Sequence, residues 1–164
     1  MRVLILALVL AVVAVVAVPG ALGYAKGPKA KPAVKAADVK FFTVGRECVN
    51  RVEKAFSLLD RASRRGKFNL YVAGAESLTK RGERCVTSVG QAKPVKRRGR
   101  AAKPVLVRAM RQYRNAGSKF ELAASAQKRD DRGEAIALTN QAAVHLQKAR
   151  TLTKVSNRLI RGLK

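Results

Sequence analysis

The strongest constraint on this chain is a pair of apolar repeats with matching spacing. Gly45, Cys48, Val52, Ala55, Leu59 and Ala62 recur at intervals of three and four, flanked by Val49 and Phe56. A second run, Tyr71, Ala75, Leu78, Gly82, Cys85 and Val89, does the same and is flanked by Val72 and Val86. That period puts each set on one face of an α-helix. Arg64, Arg65, Gly66 and Lys67 separate the runs, and Asn69, behind Phe68, is placed to cap the second helix. In an antiparallel hairpin, facing residues have position numbers that add to a nearly constant value. Cys48 with Cys85, Ala55 with Leu78 and Ala62 with Tyr71 share one value; Val52 with Gly82 and Leu59 with Ala75 share the next. Large faces small at nearly every level, which lets two helices approach without voids.

The cysteines fall on a seam that is defined without them. The register therefore predicts a Cys48–Cys85 disulfide. In the loop-entropy account such a bond constrains the unfolded chain by about 4 kcal/mol. It would persist in an oxidising compartment, outside the reducing cytoplasm.

The same test finds a second hairpin. Leu106, Ala109, Tyr113, Ala116, Phe120 and Ala123 form a third seam, behind Pro104 at a first-turn position. Asp130 and Asp131 break the run, and Asp131 with Glu134 has capping-box spacing. Leu138, Ala142, Leu146, Ala149 and Leu152 then line a fourth helix. Ala123 pairs with Leu138, Phe120 with Ala142, Ala116 with Leu146, Tyr113 with Ala149 and Ala109 with Leu152. The expected fold is all-α: two antiparallel helical hairpins in a four-helix bundle, with helices over 43–65, 69–91, 104–129 and 132–163. A basic connector, 92–103, joins the hairpins. Their manner of docking is not legible from the seams.

The N-terminal part has a different character. Val3 to Val18 is apolar and uncharged, followed by Pro19-Gly20 and then small residues at Gly23 and Ala25. This is a secretory signal layout over 1–25, with cleavage expected after Ala25. As a helix, Val3 to Val18 would rise about 24 Å, short of a hydrocarbon core of about 30 Å. Counted on to Ala25 it reaches about 35 Å, so a single-pass anchor through residues 3–25 is the rival reading. Lys26, Lys29, Lys31 and Lys35 would then hold its C-terminal side in the cytoplasm. Residues 26–42, rich in Lys, Ala and Pro, read as a flexible basic linker.

Charge speaks to the partner. The chain carries 35 Lys+Arg against 10 Asp+Glu, a formal net charge of +25. Every charged residue from Arg84 to Phe120, and again after Glu134, is Lys or Arg. A surface built only for solubility would mix both signs. Unscreened, this charge repels itself and opposes folding. The candidate polyanion-binding residues are Lys93, Lys96, Arg97, Arg98, Arg100, Lys103, Arg108 and Arg111, with a helical stripe of Arg150, Lys154, Arg158 and Arg161. No helix-turn-helix, zinc finger or stacking surface is visible, so binding would be charge-driven and non-specific.

Catalytic and metal constellations are not indicated. One His and two distant Cys fall short of a metal-ligand set, and no inward Glu-x-x-His pattern exists. Ser77-x-x-Lys80 and Ser125-x-x-Lys128 have the spacing of a Ser–Lys nucleophile pair, but its companion elements are absent. No cofactor is implied. The sequence points to a non-enzymatic protein, secreted or held in the cell envelope, that meets an anionic polymer or an anionic membrane surface: envelope polymer, lipid headgroups or extracellular DNA. The alternatives are a membrane-tethered, cytoplasm-facing protein that contacts nucleic acid, and a helical scaffold subunit.

Overall fold

A computed structural model describes residues 36–161; the expected signal segment 1–25, most of the expected linker and the final residues 162–164 lie outside them. Four helices follow one another: α1 (Ala36–Arg64), α2 (Phe68–Gln91), α3 (Arg97–Lys128) and α4 (Arg132–Arg161). They form an antiparallel four-helix bundle. Its core takes in every seam residue named above, with Leu152 alone half-buried. Tyr113, Phe41, Phe120, Leu78 and Met110 are the largest side chains fully withdrawn from water. The ring edge of Tyr71 meets Phe120 at 6.1 Å between centroids, tying α2 to α3.

The predicted register holds across the first hairpin. The Cα atoms of Cys48 and Cys85 lie 5.4 Å apart and the two sulfurs are bonded, closing an interval of 37 residues. Further along the same seam, Gly74 sits against Leu59, where a Cβ would fall 2.9 Å from the leucine Cα.

The hairpins dock through α2 and α3. A Cβ on Gly82 would lie 2.7 Å from the backbone nitrogen of Arg114, and one on Gly117 would lie 2.6 Å from that of Thr79. Each glycine thus admits the opposing backbone, and the pair fixes the crossing of the two hairpins. α3 packs most extensively along α4, then along α2, while α1 leans on α2. The backbones of α1 and α4 scarcely approach, so side chains span that fourth side of the bundle.

Three boundaries differ from expectation. The seam of α1 continues upstream through Phe41 and the wholly buried Asp38, so 36–42 is helix and not linker. A carboxylate in a core position hid that turn. Likewise α3 starts at Arg97, because Gly99 and Ala102 carry its buried face upstream of Leu106. Pro104 therefore lies inside the helix, not in its first turn, and the connector shrinks to residues 92–96. The ring deprives the Arg100 carbonyl of its usual donor, but both residues face solvent, where water can serve. Asn69 caps nothing: α2 already includes Phe68, and Lys67 precedes it without a side-chain cap.

The two interhelix turns share one backbone device. Gly66 (φ 63°) donates to Ser63 O at 3.1 Å while Lys67 N–H reaches Ala62 O at 3.0 Å. Asp130 (φ 62°) donates to Gln127 O at 3.1 Å while Asp131 N–H reaches Ala126 O at 3.0 Å. Both are Schellman closures, one on glycine and one on aspartate. Asp131 then accepts the Glu134 N–H at 2.9 Å, the first half of a capping box. The Glu134 side chain turns away to Arg129, at 2.6 Å, so the second half is absent.

Candidate functional site: a cationic pole

The antiparallel order gathers at one end of the bundle the start of α1, the end of α2, the 92–96 connector, the start of α3 and the end of α4. Two contacts fix them. Asp38 Oδ1 accepts the N–H of Val95 at 2.9 Å and of Lys96 at 3.2 Å, far along the chain from the acid itself. Ser156 on α4 donates to Ala102 O on α3 at 3.5 Å. Asp38 thereby sits at the N-terminus of α3, where the helix dipole favours an anion. Its Oδ2 is buried with no hydrogen-bond partner; the dipole at the start of α3 offsets part of that cost. Gly99 makes room for this carboxylate, since a Cβ there would lie 3.2 Å from Oδ1 and 2.8 Å from the Pro94 ring.

Around that buried acid the candidate residues converge. Lys93, Arg97, Arg98, Arg100, Lys154, Arg158 and Arg161 are exposed at or near this end, and Lys96 and Lys103 are half-buried. None of them forms an ion pair with a described residue. Arg108 and Arg111 are also exposed but stand further along α3 on its outward ridge, away from the cluster. They extend the basic surface without joining the pole.

Arg150 departs from the expected stripe. Its guanidinium donates to Glu53 on α1 at 3.2 and 3.4 Å and lies over the Phe56 ring, 4.9 Å from the centroid. Tyr113 donates its hydroxyl to the same Glu53 carboxylate. Burial, then the charge and hydrogen bond of Glu53, push the Tyr113 phenol far above its ordinary range. At Arg150 burial works against the charge, but the hydrogen bond and charge of Glu53 outweigh it and raise the pKa. Arg150 is therefore a strut between α4 and α1 on the side where the backbones stand apart. The signal for it was present: Glu53 follows the seam residue Val52, and Arg150 follows Ala149. Spacing along one helix could not say which neighbour the rim of the stripe faces.

His145 and the two cysteines have structural partners. His145 Nδ1 lies 2.6 Å from Gln112 Oε1, linking α4 to α3. Burial, and then Lys148 and Lys119, lower its pKa. Both cysteines are consumed by the disulfide, which leaves no free thiol among the described residues. Among the described residues, no group of three His, Cys, Asp or Glu could hold a metal ion. Nor is any described helix long and apolar enough to cross a membrane. In comparisons with known proteins no family model matches this chain, and neither a curated protein nor a solved structure does.

Proposed function

We propose that this is a non-enzymatic, exported helical protein that binds anionic polymers or surfaces through its cationic pole by non-specific electrostatics. The observation that carries the reading is the convergence of two separate basic segments, 93–103 and 154–161, on one end of the bundle. The single acid there, Asp38, is turned inward and engaged with the backbone. Such a cluster raises the local concentration of anions and releases counterions from a polyanion when it docks. The disulfide supports an oxidising compartment, and so export through the 1–25 segment, over a tether facing the cytoplasm.

Retention on immobilised heparin across a salt series tests the reading. The wild-type protein is retained at low salt and elutes steeply as salt rises. Replacing Arg97, Arg98 and Arg100 by Gln should lower the salt slope by about 3, one unit for each lost contact. Replacing Arg61, Arg64 and Arg65 at the opposite end should leave it nearly unchanged. Equal slopes for the two triple variants would defeat the assignment of the pole.

A further inference from the structure

Resting on that reading, we propose that the partner of the cationic pole is an anionic lipid bilayer, met end-on. Three observations single out a bilayer among polyanions. First, the pole is blunt. It is made of two helix starts, two helix ends and a short connector, so its cations cluster on a cap instead of lining a groove that could track a strand. Second, two large apolar side chains stand exposed on that cap: Val39 at 43% and Val95 at 40%, bracketed by Lys40, Lys93 and Lys96. Asp38, next to Val39 in the chain, ties their backbones together through the Val95 N–H. Valine among lysines suits the headgroup boundary, where cations meet lipid phosphates and short apolar side chains enter the acyl margin. Among the described residues no aromatic ring stands fully exposed as a stacking platform for a nucleic-acid strand: Phe41, Phe56, Tyr71, Tyr113 and Phe120 are buried, and Phe42 and Phe68 are half-buried against the core, Phe68 with Lys128 over its ring. Third, the chain enters α1 at this same pole. Whether or not residues 1–25 are removed, Lys26, Lys29, Lys31 and Lys35 precede the body there. Each Lys or Arg near an anionic surface strengthens attachment about five-fold.

The chain has no tryptophan, so a single one introduced into the full-length protein reports its own surroundings. Val95→Trp places the probe on the cap, and Leu70→Trp places it on an exposed position (56%) at the far end. Each variant is mixed with phosphatidylcholine vesicles, with or without phosphatidylglycerol, carrying brominated chains as quencher. With anionic vesicles the emission of the Val95→Trp variant should shift to the blue and be quenched. The Leu70→Trp variant should do neither, and neutral vesicles should leave both unchanged. Adding Arg97→Gln, Arg98→Gln and Arg100→Gln to the Val95→Trp variant should weaken partition about 100-fold. An unresponsive probe on the cap, equal responses from the two positions, or equal responses on neutral and anionic vesicles each overturn end-on lipid docking. Salt-sensitive capture of short duplex DNA without any vesicle response would reject the bilayer and leave the polyanion reading standing. Capture of neither would reject both.

Discussion

The two ends of this bundle are closed by opposite means. At the turn end, closure is local: the Gly66 and Asp130 motifs each bond over a single short turn, and nearby charges are compensated by Arg64–Asp60 at 3.1 Å and Arg129–Glu134 at 2.6 Å. At the cationic end nothing local suffices. The connector is held by a carboxylate from the first helix, and its cations have no described partner. The Cys48–Cys85 bond also lies toward this half, near the end of α2. Long-range ties thus sit where self-repulsion is strongest. A like-charged surface can be kept on a folded body if the backbone beneath it is anchored from within.

The largest expected break is reduction of the disulfide. Opening a 37-residue interval should lower stability by about 4 kcal/mol, read as a fall in the denaturant midpoint in reducing buffer. Amide exchange should rise first at the cationic end. Next comes Asp38→Ala, which strands the Val95 and Lys96 N–H groups and should cost about 3 kcal/mol. Loss of protection at those two amides, with the turns at 63–67 and 126–131 unaffected, is the pattern that fits. Uniform loss would mean that the ends are not independent.

The turn end supplies smaller, mirrored tests. Gly66→Ala forces a side chain into left-handed backbone and should destabilise by about 1 kcal/mol, although the site has open space around it. Asp130→Gly relieves the same strain in the partner turn and should stabilise by about 0.5 kcal/mol in thermal unfolding. If both substitutions shifted the midpoint in the same direction, the two turns would not be equivalent. The least effect belongs to His145. Its folded pKa lies below the ordinary 6.5, so between those two values the unfolded chain binds more protons. Stability should slip as pH falls below about 6.5, and His145→Gln should remove that slope.

Much of this arrangement was legible because helix pairing is a problem of one dimension. A period of three and four gave each face, and constant position sums gave each register, including the level at which Cys48 meets Cys85. What stayed hidden depended on the third dimension or on residues of the wrong polarity. Asp38 occupies a core position that an apolar count skips, so the first turn of α1 read as linker. Pro104 read as a helix start because its ring bars a donor, yet an exposed Arg100 carbonyl tolerates the loss. Gly82 was recognisable as a small residue on a close-packed seam. The pairing of Gly82 with Arg114, and of Gly117 with Thr79, required knowing which helices become neighbours. In the candidate site the basic segments were visible, but their meeting at one end, and the withdrawal of Arg150 into a strut, follow only from the docking of the hairpins.

The crosslink between the first two helices also decides how this body would carry a mechanical load. Tension applied at Ala36, as from a chain held at its N-terminal side, passes from α1 through the sulfur pair into α2, bypassing everything between Cys48 and Cys85. That interval, a sequence separation of 37, corresponds to about 130 Å of extensible chain that stays out of the force path while the bond is intact. The first interhelix turn and the far half of α1 are thus shielded from pulling, and a stretched molecule would release that hidden length only after chemical reduction.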